Sequence, residues 1–265
     1  MKPYDIIDII EKTAPPAFAA AWDASGVQVA AMRKEISHIG VMLDPSHENL
    51  LRAADSGVEF ILAHHPLSMK ARFPNREDNY LAILSLLFTR NIWLYSAHSS
   101  LDANQGGPVR WLGDSLHLQD MTLLEGQDSG NTHGFGFVGR LPRPLAYAKF
   151  CRVLSGLLSR EEWFVCGPMP QTVERVACCP GAGNSMLEAA IAAGADLFIS
   201  GDIKHHTALD AVAAKLRVID AGHFTLEEEM MRRFAVQLEQ ELSLPVTFFA
   251  GKDPLRLERA AVVGD

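Results

Sequence analysis

Residues 58–67 read Val-Glu-Phe-Ile-Leu-Ala-His-His-Pro-Leu. The apolar run is entered from Gly57 and ends in two adjacent histidines and a proline. A continuous run of this length predicts a strand buried on both faces, as in a parallel sheet. Open α/β sheets carry their chemistry in the crevice beyond the carboxyl ends of their strands, and His64 and His65 stand at such an end. Neutral imidazole is the commonest side-chain metal ligand. Neighbouring side chains diverge in direction, so an adjacent pair suits two metal ions better than one. The competing reading is a pair of strand-end histidines bonded to backbone carbonyls, and the rest of the chain must decide between them.

Working outward, HIGVML (38–43) reads as a strand, and Asp44-Pro45-Ser46 turns into a helix with Ser46 as N-cap and Gly57 as its close. Residues 67–76 form a polar loop carrying Lys70 and Arg72, 77–90 a helix, and IWLYSA (92–97) a strand that ends in His98, with Asp102 four residues on. Gly106-Gly107-Pro108 leads into a helix near 109–116. Residues 1–16 predict an amphipathic helix stopped by Pro15 and Pro16; its acidic residues are unlike a signal peptide. Residues 19–30 read as a loop containing Trp22, Asp23 and Gln28.

Residues 117–133 are polar and irregular and mark a boundary between halves 1–125 and 126–265. The second half predicts a strand over 134–144 closed by prolines, a helix over 145–158, and strands at 163–167 and 175–179. Gly181 to Ser185 then open a helix. A strand (196–200), a helix (205–215), a strand (216–221), a long helix (226–242) and a last strand (245–250) follow. Alternating strands and helices indicate a layered α/β fold with mixed or parallel sheets.

The 265 residues allow one large domain or two small ones with ample core. No apolar run is long enough to span a bilayer. The net charge of −8 argues against broad nucleic-acid binding. Cys151, Cys166, Cys178 and Cys179 show no zinc-ligand spacing and read as reduced thiols of a cytoplasmic protein.

A weak internal repeat aligns 53–65 with 189–202, and YSAHSSLD (95–102) with DAGHFTLE (220–227). His98 and Asp102 then mirror His223 and Glu227. The repeat predicts two similar halves facing each other with the site between them. Thr225-x-x-Glu228 reads as a capping box, which would set His223 just before a helix and Glu227 in its first turn. Acids favour first turns in any case through the helix dipole, yet His/His, His/Asp and His/Glu at strand ends of one chain together favour metal. Two divalent ions are the expectation. One would take His64 and His223 and the other His65 and Asp102, with Glu227 bridging and positions left open for water. Zinc, manganese, iron and nickel all suit such ligands. His98 is left to orient Asp102 or to carry protons.

The set WDASGVQV, ILAHHPL, SAHSSLDA, GFGFVGRL, PGAGNS, SGDIKHHTALDA and IDAGHFTLEEEM resembles the NGG-interacting-factor-three-like family, from residue 22 to 229 and in the family's order. The resemblance implies two similar α/β domains, a ring-shaped homohexamer and a two-metal site facing the inner cavity, and a type 2 GTP cyclohydrolase I activity. It places family ligands at His64, His65, Asp102, His223 and Glu227, and family histidines near the site at His98 and His206. Longer members carry an inserted middle domain, for which 117–133 is too short. Ser200-Gly201-Asp202 stands where many members have Thr-Gly-Glu.

Two functions follow as expectations. One is a metal-dependent hydrolase of a nucleotide-like substrate, with His98 or His206 moving protons and Lys70, Arg72, Lys204 or the 181–185 amides steering a phosphate. The other is a non-enzymatic ring that buffers metal or serves as a scaffold.

Overall fold

The computed structural model describes residues 1–125 and 132–256. The boundary expected at 125/126 therefore adjoins residues outside those described. From the N-terminus the chain forms α1 (Pro3–Thr13), β1 (Gly26–Val29), β2 (Ile39–Met42), α2 (His47–Asp55), β3 (Phe60–Ala63), α3 (Asn79–Arg90), β4 (Trp93–Ser96), α4 (Ser99–Asp102), α5 (Trp111–Ser115) and β5 (Gln119–Leu123). It continues with β6 (Phe137–Ala146), α6 (Tyr147–Leu158), β7 (Phe164–Cys166), β8 (Thr172–Cys178), α7 (Leu187–Ala192), β9 (Leu197–Ser200), α8 (His205–Ala213), β10 (Arg217–Asp220), α9 (His223–Glu241) and β11 (Val246–Phe248).

Two mixed sheets result. The first runs β1-β4-β3-β2-β11 and the second β5-β6-β8-β9-β10-β7. In the first, β2, β3, β4 and β11 run parallel and β1 closes one edge antiparallel. In the second, β8, β9 and β10 run parallel, with β6 and β7 antiparallel on either side.

Every residue of β2, β3, β4 and β9 is buried, which is why their sequences are apolar runs broken only by the terminal Ser96 and Ser200. The pleat divides them between cores. Phe60, Leu62, Trp93 and Tyr95 face the central core, where they meet α1, α9 and the inner face of the second sheet. Ile61, Ala63 and Leu94 face α2 and α3 instead. In the second sheet Leu197 and Ile199 point to the central core and Phe198 points outward, toward α7 and α8. The molecule is thus layered, with helices outside each sheet and α9 between them.

Several elements differ from the expected ones. The buried strand of the HHP stretch is only Phe60–Ala63, so both histidines lie in the turn after it. Residues 19–30 contain β1, and 117–123 contain β5; both are short edge strands whose apolar alternation, Val27-Gln28-Val29 and Met121-Thr122-Leu123, is too brief to betray them. Strand β6 continues through Pro142 and Pro144 to Ala146, because its pairing with β8 breaks register between Arg140 and Leu145, where missing N–H donors are tolerated. The last strand pairs with β2 of the first sheet, so the C-terminal segment crosses back to the N-terminal half.

Candidate metal centre

Strand register builds the site. Met42 lies opposite Ala63, and Ala63 opposite Ser96. Two residues further along, the same register sets Asp44, His65 and His98 in a row beyond the strand ends, with His64 beside Ala97. In the second sheet Ser200 lies opposite Asp220, so Asp202 and His223 emerge together from the next turns. Helix α9 begins at His223, with Gly222 as its cap at a φ of +90°. Glu227 therefore stands one turn above His223 on the same face, at i+4. The expected Thr225 cap is replaced. The left-handed Gly222 lets the chain enter the helix straight from β10, while Thr225 Oγ1 accepts from Arg160 Nη1 at 2.9 Å and Glu228 accepts from Gly251 N at 2.8 Å.

Glu227 Oε2 is the hub. It lies 2.8 Å from His223 Nε2, 3.1 Å from His65 Nε2 and 3.7 Å from His64 Nε2. His64 Nε2 is 3.6 Å from Asp102 Oδ1, and His65 Nε2 is 3.3 Å from His223 Nε2. The ligand atoms fall into groups His65/His223/Glu227 and His64/Asp102/Glu227. The expected partition is thereby exchanged, although Glu227 is shared as expected. His64 turns toward β4, where Ala97 and Asp102 lie, whereas His65 turns toward Asp44 and across to His223.

The outer nitrogens fix the tautomers. His64 Nδ1 donates to Ala97 O (2.8 Å), His65 Nδ1 to Asp44 Oδ1 (2.7 Å), His223 Nδ1 to Asp202 Oδ2 (2.8 Å) and His98 Nδ1 to Asp23 Oδ1 (2.7 Å). A carbonyl or carboxylate only accepts, so each Nδ1 carries a proton, and Nε2 is the nitrogen each ring can offer inward to a metal, which would displace any proton held there. His64 Nε2, Asp102 Oδ1 and Glu227 Oε2 are buried without a hydrogen-bond partner. Such a gathering of buried acceptors is costly unless a cation sits among them, and the residues fit divalent metal with mixed nitrogen and oxygen ligands.

Proton affinities carry the same demand for positive charge. Burial opposes charge on His65, but Asp44 and Glu227 outweigh it and push its pKa up to about 10. Burial likewise opposes His223, and Glu227 and Asp202 push it up to about 9. Burial raises Asp102 to about 6. Burial also acts to raise Glu227, yet the surrounding imidazoles hold it well below the usual carboxylate range.

The profile of the family described as Duf34/NIF3 (NGG1p interacting factor 3) matches residues 1–254. The chain belongs to the Duf34/NIF3 family. A Clostridium perfringens protein named GTP cyclohydrolase 1 type 2 homolog is 29% identical over 255 residues, covering 96% of this chain and 97% of that protein. A Methanocaldococcus jannaschii protein of the same name is 31% identical over 248 residues, covering 93% and 98%. The solved structure of reduced HcgD from Methanocaldococcus jannaschii superposes with a TM-score of 0.82 at 28% identity, covering 94% of this chain and 98% of that one.

Within this Duf34/NIF3 chain, some expected site residues stand apart. His206 is exposed at the start of α8 against His205 and outside every His/carboxylate group among the described residues. Arg72 pairs with Asp78 and stacks on Tyr80, and Lys70 and Lys204 are exposed. Gly183 N donates to Ser200 Oγ at 2.9 Å, so that amide is already engaged. Other residues join the site without having been singled out. Asp23, Asp44 and Asp202 orient the histidines, and the register of parallel strands is the signal that would have found Asp44. Gly181, at a φ of +72°, lies so close that a Cβ there would stand 2.3 Å from Glu227 Oε1. A cleft of about 520 Å³ opens beside His65 and His223, walled by Leu43, Phe164 and Phe224, with Arg160 at its side. Among the described residues no helix is long and apolar enough to cross a membrane.

Proposed function

We propose that this chain binds two divalent ions through His64, His65, Asp102, His223 and Glu227, and hydrolyses a nucleotide-like substrate. The observation that carries the reading is Glu227 Oε2, buried and shared among three inward-facing imidazole nitrogens. His65 with His223 would hold one ion and His64 with Asp102 the other, with Glu227 common to both. Bound ions would polarise the substrate and acidify a water. The chain's own groups do the rest. Asp44, Ala97 O and Asp202 aim the imidazoles. Asp102 and Glu227 supply negative charge in a buried setting. His98 keeps its Nδ1 proton on Asp23, so its Nε2 can hold a proton released at the centre. Phe164, Phe224 and Leu43 offer an apolar wall for a flat ring.

GTP is the first substrate to try, since relatives carry the name GTP cyclohydrolase 1 type 2 homolog. We place the protein in the cytoplasm as a ring-shaped homohexamer built from the halves 1–125 and 126–265. The exposed Phe164 and Val165 of edge strand β7, with Leu209 and Val212 of α8, support contact between copies.

The test is metal-dependent turnover of GTP and a panel of purine nucleotides by the chain reloaded with zinc, manganese, iron or nickel, with Glu227→Gln as control. Turnover lost in that variant is the expected result. Full metal occupancy with no turnover of any nucleotide would overturn it. A non-enzymatic metal-buffering ring is the second reading. One observation favours it: Asp44, Asp202, Asp220 and Asp253 line the cleft, where a polyphosphate would meet like charge.

A further inference from the structure

His98 has no place in the five-ligand scheme, yet it is built like the ligands. Its Nδ1 donates to Asp23, whose side chain is completely buried. That carboxylate also accepts from Ala24 N (2.6 Å), Ser25 Oγ (2.6 Å), Ser99 N (3.1 Å) and Ser99 Oγ (2.6 Å). Burial alone would raise Asp23, but these donors and His98 hold it far below the usual range. Asp23 is therefore a fixed anion, and its bond to Nδ1 leaves Nε2 as the nitrogen of His98 free to bind a metal. Trp22 packs its ring edge-on to His98, with centroids 5.8 Å apart, on the outer side. On the inner side one ring nitrogen from each of His64, His65 and His98 lies within 4.8 Å of the others, and since each Nδ1 is held by Ala97 O, Asp44 or Asp23, Nε2 is the nitrogen each has to offer. His64 is completely buried and its Nε2 has no hydrogen-bond partner.

We propose that His98, oriented by Asp23, makes a third metal position with His64 and His65. This inference rests on the reading that the centre binds metal. An ion about 2.1 Å from each of three nitrogens holds them roughly 3.4 Å apart, a closure that side-chain rotation can supply. The position uses the same His64 and His65 nitrogens as the two-ion arrangement, so the two states exclude each other. They also differ in chemistry. Three imidazoles with no carboxylate suit copper(II), whereas manganese(II) calls for the carboxylate-bearing pair. Copper(II) would thus favour one ion per chain and manganese(II) two.

The test uses the full-length, metal-stripped chain with one equivalent of copper(II), and counts coupled imidazole nitrogens by pulsed EPR. Wild type and Glu227→Gln are expected to show three imidazoles. His98→Gln is expected to show two, with about tenfold weaker copper binding, while its manganese(II) affinity stays within about twofold. Asp23→Asn, which keeps the ring but loosens its orientation, falls between. Equal counts in wild type and His98→Gln, or a signal abolished by Glu227→Gln, would overturn the proposal while leaving the metal reading intact. Failure of wild type to bind either copper or manganese would remove both. Should His98→Gln misfold by circular dichroism, the wild-type and Glu227→Gln counts still decide.

Discussion

Gly181→Ala isolates the close approach that shapes the centre. Gly181 has a φ of +72°, and a Cβ there would stand 2.3 Å from Glu227 Oε1, where ordinary contact begins at 3.4 Å. The carboxylate must therefore retreat by about 1 Å. A left-handed alanine adds about 1–2 kcal/mol of backbone strain by itself. Gly194→Ala is the matched control, because Gly194 has a φ of +66° and nothing within 4 Å of a built Cβ. Urea unfolding of the metal-free chains should show a comparable loss of about 1–2 kcal/mol in both variants from the backbone, with Gly181→Ala the worse of the two. Only Gly181→Ala should also weaken metal binding, by about 10–100-fold in chelator competition, the cost of disturbing a ligand's support. Equal metal affinity in Gly181→Ala, Gly194→Ala and wild type would refute the argument that Glu227 is held at a sterically fixed position.

The metal-free chain should lose stability as pH rises. His65 and His223 titrate near 10 and 9 rather than 6.5, so their stabilisation is complete below pH 6.5 and disappears as pH climbs through 9 to 10. Calorimetry should show a falling metal-free Tm from pH 7 to 10 and a widening zinc-induced rise, since metal competes with those protons; a flat metal-free Tm would contradict this. Asp202→Asn sits at a φ of +53°, which asparagine tolerates, and should weaken metal binding about 10–100-fold without changing stoichiometry, as read by isothermal titration. Ser46→Ala removes the cap that accepts from Asn49 N at 3.2 Å; it should lower unfolding free energy by about 0.5–2 kcal/mol and leave metal binding unchanged in the same titration.

The sequence showed the buried strands well, because β3 is apolar at every position and β4 at all but its terminal Ser96 when both faces are covered. The residues that converge were legible as polar groups just beyond apolar strands: His64, His65 and His223 near strand ends, and Asp102 and Glu227 within the helical turns that follow. Which of them pair was not legible, since that depends on the register between parallel strands and on where α9 begins. Gly222 settles that start through a positive φ, where the Thr225 signature pointed three residues too late. Asp23 and Asp44 escaped for the same reason: one sits in a loop and the other in a turn, and only the folded strand row sets them on His98 and His65. Strands β1 and β5 lie at sheet edges and have no run to read. The return of β11 to the first sheet follows the packing of α9 and no local pattern.

The most direct test of the account is the metal content per chain of protein purified without an affinity tag or added metal, for wild type and Glu227→Gln. The account predicts about two ions in wild type and the loss of at least one in the variant. Less than about half an ion per wild-type chain, even after incubation with zinc, manganese or iron, would contradict it and leave the inward-facing imidazoles as structural groups.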